Sequence, residues 1–171
     1  VDIMADSIWY YYTNNGTSQI TLSSVITQNF NSTNGITKYF SLLLNNSVPS
    51  GADLIINTYN TQGKHEELLI LEGNGSNASD SVGRIKYFYD AQGRNSIDTA
   101  YDYDLGDWSA VAVFEYVYDA NSNITSIKFK SQNNSGAWIT LLEYDHTFYP
   151  NNKLQTVIGL QDNTGSGNLM P

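Results

Sequence analysis

From Trp108 to Tyr118 the chain alternates with a period of two. One side reads Trp108, Ala110, Ala112, Phe114, Tyr116, Tyr118, and the other reads Ser109, Val111, Val113, Glu115, Val117. Period two is the side-chain rhythm of a β-strand, so this stretch predicts one of about eleven residues. The stretch from Trp138 through Leu142 and Tyr144 to Phe148 or Tyr149 repeats the rhythm with one residue too many, which predicts a β-bulge. Phe88 and Phe129 are expected on the face opposite Phe114. Segments such as "NITSIKFKS" and "KLQTVIGLQ" read as return strands, so each unit is a hairpin. No helical period competes except in "KHEELLILEG", where Glu66 and Glu67 precede a leucine run; aligned with its sister units, this too is a return strand.

The hairpins recur. Bends appear as "TYNTQGK" at 58–64, "FYDAQGR" at 88–94, "VYDANSN" at 117–123 and "FYPNNKL" at 148–154, with Tyr59, Tyr89, Tyr118 and Tyr149 at steps of 30, 29 and 31. Trp108 and Trp138 repeat the interval at 30. Such spacing marks a tandem array in which each unit packs on its neighbours. "IWYYYTNNGT" (Trp9, Tyr12, Asn14, Asn15, Gly16) and "QNFNSTNGIT" around Phe30 to Thr37 read as decayed or capping copies. Two turns alternate: a tight one after each tyrosine, and a looser one, "DLGD" or "QNNSG", ahead of each tryptophan.

The pattern predicts an all-β fold, an antiparallel meander of tandem hairpins with a period of about 30, as an open twisted sheet, a wrapped sheet or a half-barrel. About ten to twelve strands are expected. Residues 1–171 are read as one repeat domain: 1–53 irregular or capping repeats, 54–160 four hairpin units, and 161–171 a flexible tail.

Composition narrows the partners. The 171 residues carry 8 Lys+Arg against 17 Asp+Glu, a formal net charge of −9, so phosphate and anionic lipid are repelled and nucleic acid is not an expected partner. No apolar run approaches the roughly 18 residues needed to cross a bilayer, and no membrane insertion is expected. Cysteine is absent, which removes disulfides, thiolate nucleophiles and Cys-based zinc sites. Val1 begins in mid-phrase, which reads as a processed or excised piece of something longer. Thirteen tyrosines among many Asn, Ser, Thr and Gly residues, with only 15% charged residues, suit an extracellular β protein.

"YFYDAQGR" and "YVYDANSN" resemble the YD repeats of Rhs-type and teneurin-type shells, and still more the Y-x-Y-D-x-x-G-N hairpin repeats of secreted and surface proteins of Bacteroidetes. The resemblance covers residues 54–160. It departs from the pattern at Ser122, where the repeats carry Gly, and at Pro150-Asn151-Asn152, where the Asp is missing. It implies an extracellular β-shell, stalk or spiral with no activity of its own, from a secreted bacterial protein.

Candidate chemistry is sparse. In Tyr118-Asp119-Ala120-Asn121 the Asp reads first as a turn residue, using its oxygens on nearby backbone amides. The competing reading is calcium, since Asp119, Asn121 and Asn123 are spaced like the start of a calcium loop; neither a Gly at the sixth place nor a Glu at the twelfth follows. Asp102 and Asp104, with Asp98 and Asp107, form the denser acidic group. Otherwise no cofactor or metal is expected. His65 and His146 form no recognisable catalytic spacing, and no catalytic residue is assigned; His146, alternating with Tyr144 and Phe148, reads as structural.

Aromatic rows remain. Trp108, Tyr116, Tyr118, Trp138 and Tyr144 are candidate glycan-stacking residues, set against the plainer reading that cross-strand rings stabilise a repetitive sheet. Two functions stay open. One is a non-catalytic structural, scaffold or adhesive segment of the cell surface. The other is a carbohydrate-binding module or accessory subunit of a surface glycan-handling complex, whose partners would be glycans or other surface domains.

Overall fold

A computed structural model describes residues 5–13, 20–32, 35–45, 48–73, 77–162 and 164–170. The described chain is all β: β1 (Ala5–Thr13), β2 (Ile20–Phe30), β3 (Ile36–Asn45), β4 (Val48–Tyr59), β5 (His65–Gly73), β6 (Asp80–Tyr89), β7 (Asn95–Asp104), β8 (Asp107–Tyr118), β9 (Ile124–Gln132), β10 (Trp138–Phe148) and β11 (Leu154–Gln161). Hydrogen-bonded neighbours follow chain order from β1 to β11, a pure antiparallel meander. The first 53 residues carry β1 to β3 and the start of β4. "KHEELLILEG" lies on the return strand β5. The bend at Asn14, Asn15 and Gly16 lies outside the described residues.

The chain divides into two compact units, Val1–Arg84 with Tyr103–Gly106, and Ile85–Asp102 with Asp107–Pro171. In the first, β1 to β5 pair in sequence, and among the described residues Ala52 is the buried apolar side chain. In the second, the register of β8 to β11 places Ala112, Phe114, Tyr116 and Tyr118 on one face with Ile124, Ile127, Phe129, Leu142, Tyr144, His146, Phe148, Leu154 and Val157. The opposite face carries Glu115 opposite Lys128 opposite Glu143. Its ion pairs are Lys128 Nζ to Glu143 Oε1 at 3.0 Å and Lys130 Nζ to Glu115 Oε1 at 2.6 Å. Among the described residues no large side chain is fully buried. Burial is shared thinly along an aromatic face and a charged face.

One hairpin design recurs. Asp90 N donates to Arg94 O and Gly93 N to Asp90 O, closing a three-residue loop whose third residue, Gly93, has φ 76°. The same pair of bonds closes Asn60 to Lys64, Asp119 to Asn123, Asn133 to Ala137 and Tyr149 to Lys153. The left-handed position is filled by Gly63, Gly93, Ser122, Gly136 and Asn152. After the bends that follow Phe30, Tyr59, Tyr118 and Phe148 the return strand carries an extra residue, seen as a register shift opposite each. Where that residue has a hydroxyl it bonds back across the hairpin: Thr37 to Asn29 O at 3.3 Å and Thr125 to Val117 O at 3.3 Å.

Three expectations are corrected. The loop closing at Tyr149 N shows that Tyr149 occupies the Asp place and Phe148 the tyrosine place, so the steps from Tyr59 are 30, 29 and 30. "QNNSG" forms the same three-residue loop as the tyrosine bends, and "DLGD" is the tighter turn, two residues with Leu105 at φ 50° and Gly106 at φ 95°. Phe129 faces Phe114 directly, ring centroids 5.0 Å apart, and does not lie on the other face. β10 does carry a bulge, but at Leu141, skipped between Thr140 and Leu142 in the β9 register, inside the stretch from Trp138 to Leu142 that the alternation reads as unbroken. Beyond β11, Gln161 and Met170 exchange backbone bonds of 2.8 and 2.9 Å. Asp162 Oδ1 accepts from Thr164 N at 2.8 Å and Gly165 N at 3.1 Å.

Candidate functional site

The Tyr-Asp bends are built from their own side chains. Asp119 Oδ1 accepts from Asn121 N at 2.8 Å and Asn123 N at 2.9 Å, while Oδ2 accepts from Asn123 Nδ2 at 2.8 Å. Asp90 repeats this with Gln92 N at 3.0 Å and Arg94 N at 2.8 Å, and its second oxygen takes Arg94 Nε at 2.7 Å. Asn60 and Asn133 do the same with one amide oxygen each. The bond from the Asn123 side chain, followed by the backbone amides and Arg94, holds the Asp119 carboxyl below its ordinary range. For Asp90, burial pushes upward, but the amide, side chain and charge of Arg94 outweigh it and the carboxyl is also held low. Both acids are anionic acceptors for their own turns.

Two of the tyrosines ahead of these bends tie their hairpin to the one before. Tyr118 Oη donates to Asn95 O at 2.7 Å, and Tyr59 Oη donates to Ile36 O at 2.9 Å, each reaching back to the first residue after the preceding bend. His65 Nε2 lies 2.9 Å from the Tyr59 hydroxyl, with the two rings edge to face. Neighbouring bends also meet sideways. Arg94 Nη1 donates to Asp119 O at 3.2 Å, its guanidinium sits 4.4 Å from the Tyr118 ring centroid, and Asn123 Nδ2 reaches Asn152 Oδ1 at 3.2 Å.

The aromatic face of the second unit is the surface left over. Tyr116 and Tyr144 flank Ile127 across three strands, roughly 9.6 Å apart by strand spacing. Beside Tyr116 a hollow of about 150 Å³ is lined by Ile85, Tyr87, Asp98, Ala100, Phe114 and Tyr116. Tyr116 Oη donates to Asp98 Oδ2 at 2.9 Å, and Asn95 Nδ2 donates to Asp98 Oδ1 at 2.8 Å. Burial, then the bond to Asp98 and its charge, push the Tyr116 hydroxyl well above its ordinary range, so it remains a donor. Asn95 Oδ1 is buried without a partner. A second, wider groove of about 450 Å³ runs past Ser122, Asn123, Ile124, Ile127, His146, Phe148 and Leu154, and the buried His146 Nδ1 there is also unpartnered.

Of the five residues read as a stacking row, the structure gathers four. Tyr116, Tyr118 and Tyr144 share the aromatic face, and Trp108 joins it by alternation along β8. Trp138 does not, because the bulge at Leu141 reverses parity: Trp138, opposite Gln132, lies on the charged face, 41% exposed. Tyr118 is engaged in its tie to Asn95. Asp102 and Asp104 are exposed at the end of β7, and Asn121 lies exposed in its loop. Asp119, the remaining calcium candidate, has both oxygens engaged within its own turn. Among the described residues no group of three or more His, Asp or Glu is placed to hold a metal ion. Tyr87 and Asn95 escaped sequence reasoning, and Asp98 was noticed only as one of an acidic group; the alternation in "IKYFYD" carried the signal for Tyr87.

No family model matches the chain, and no curated protein matches it. Among solved structures it is similar to a protein of unknown function from Bacteroides fragilis at 13% identity and a TM-score of 0.45, over 82% of this chain and 91% of that one. It is also similar to a porin-like protein from Bacteroides uniformis at 7% identity and a TM-score of 0.24, over 99% of this chain and 95% of that one.

Proposed function

We propose that this chain is a non-catalytic, extracellular or cell-surface β-repeat protein with a structural, scaffold or adhesive role. One observation carries the reading: the residues that recur are consumed by the architecture. Tyr59 and Tyr118 spend their hydroxyls on the backbone of the preceding hairpin, and Asp90 and Asp119 spend their carboxylates on their own turns. The low charge density and the wealth of Tyr, Asn, Ser, Thr and Gly support a location outside the cell.

The hollow beside Tyr116 supports a second reading, a glycan-binding module. It joins flat rings, Tyr87, Phe114 and Tyr116, to a carboxylate, Asp98, the combination that stacks on and hydrogen-bonds to a sugar. Electrophoresis through gels containing neutral or acidic polysaccharides, with and without a chelator, separates the two. The scaffold reading expects unchanged mobility and melting temperature in every gel. Retardation by a polysaccharide that disappears in Tyr116→Ala would replace it with the glycan reading, and dependence on chelator would restore calcium.

A further inference from the structure

One repeat departs from its sisters on the aromatic face. After the bends that close at Lys64, Arg94, Asn123 and Lys153, the fourth residue of the return segment is Leu68, Asp98, Ile127 and Val157 in turn, and the sixth is Ile70, Ala100, Phe129 and Gly159. Only β7 therefore puts a carboxylate at the fourth place, and beside it stands a single methyl group. At Gly159 the space is closed by the Tyr144 ring, whose nearest atom lies 3.1 Å from where a Cβ would stand. At Ala100 the space stays open as the hollow of about 150 Å³. Its walls are Ile85 and Tyr87 from β6, Asp98 and Ala100 from β7, and Phe114 and Tyr116 from β8, all within the second compact unit.

The hollow carries a charge that nothing in it neutralises. Asp98, half-buried, accepts from Tyr116 Oη at 2.9 Å and Asn95 Nδ2 at 2.8 Å, both neutral donors. Among the described residues no cationic group pairs with it. Arg94, close by in sequence, is taken by Asp90 at 2.7 Å and by the Tyr118 ring. A carboxylate drawn out of water without a counter-charge is unfavourable, so the site favours a positive guest. The ring faces around it attract the same sign.

We propose that this hollow binds a small organic cation, a methylated ammonium group of the choline type, with its charge against Asp98 and its methyl groups against Tyr87, Phe114 and Tyr116. The inference goes beyond the scaffold reading and competes with a sugar for the same place. Size favours the ammonium, since about 150 Å³ is the volume of a cavity that admits a benzene-sized guest, and a tetramethylammonium ion is of that size. Hydrogen bonding favours it too. The Tyr116 proton and both Asp98 oxygens are already engaged, which leaves little for the hydroxyls of a sugar, whereas a methylated ammonium has no donor to place. The net charge of −9 draws cations toward the whole surface.

Titration of the full chain with choline chloride, followed by nuclear magnetic resonance, tests this. The expected result is a saturable shift of the ring signals of Tyr87, Phe114 and Tyr116, with the methyl signal of the guest moving upfield. The neutral analogue in which a tert-butyl group replaces the trimethylammonium should bind about tenfold more weakly or worse. Asp98→Asn keeps an acceptor for Tyr116 Oη and should weaken choline by a similar factor. Ala100→Ile brings in the side chain that β5 carries at this place, Ile70, so the sheet is kept, as circular dichroism checks, while the filled hollow should give no shift. Vesicles of phosphatidylcholine separate the two sources of the group: co-sedimentation assigns a membrane headgroup, and choline binding without it assigns a free ligand. No saturable shift up to roughly 100 mM choline, equal binding of the neutral analogue, or binding that survives Ala100→Ile would overturn the proposal. Retardation by a polysaccharide with no response to choline would also overturn it and leave the hollow to a sugar.

Discussion

At the scale of the residue, the Tyr-Asp phrase is a hinge written in hydrogen bonds. An Asp or Asn at the first place of the bend supplies one oxygen for two backbone amides, and a hydroxyl before it reaches the neighbouring hairpin. Asn133→Ala, which strips the bend of that oxygen and of the bond from Ser135 Oγ, should cost about 1 kcal/mol in urea unfolding. Asp119→Ala should act in the same direction. Asp119→Asn should be nearly neutral at pH 7, since Asn60 and Asn133 already serve this place and the Asn123 amide can turn over to donate or accept. The two differ in acid. Because the Asp119 and Asp90 carboxyls are held below their ordinary values, the stability they contribute is complete above about pH 4 and is lost as pH falls through the folded-state values. Melting temperature should therefore drop steeply below about pH 4, and less steeply in Asp119→Asn. This layer was legible in the letters, because turn chemistry is local and Asp, Asn and Gly each leave a mark. The tyrosine's partner was not, since a bond to a backbone carbonyl 23 positions away leaves no residue-type signature.

At the scale of the element, each hairpin is an outgoing strand, a three-residue loop and a return strand with one residue to spare. The period and the strands could be read, and a bulge in the Trp138 strand is expected from them, but not its place at Leu141. Its consequence could not be read either, because an inserted residue reverses every later side chain, and simple alternation had carried Trp138 onto the face of Trp108. The fourth bend was misread for a related reason. Tyr149 offered a tyrosine at nearly the right step, while Phe148, lacking a hydroxyl, filled the ring position. The tight turn between β7 and β8 is strained at Leu105. Leu105 is fully exposed at φ 50°, a conformation that a leucine Cβ resists and an Asn tolerates ahead of Gly106. Leu105→Asn should raise the unfolding free energy by about 1 kcal/mol, read from a denaturant midpoint that moves at constant slope. No gain would mean that the turn is relaxed as it stands.

At the scale of the whole molecule, no large side chain among the described residues is fully buried. Half-buried rings along an aromatic face, ion pairs on the face behind it and ties between successive hairpins share the work. This is why composition and repeat length foretold the meander, while the hollow around Asp98 and Tyr116, assembled from β6, β7 and β8, could not be drawn from any one of them. The central claim is that the repeated tyrosine hydroxyls hold hairpin to hairpin. Equilibrium unfolding of Tyr118→Phe beside Tyr144→Phe tests it most directly, for the same atom is removed from the same face, once from a tie and once from a ring that makes none. The account predicts a loss of about 0.5–1.5 kcal/mol for Tyr118→Phe and close to none for Tyr144→Phe. Equal losses, or no loss at Tyr118, would contradict it.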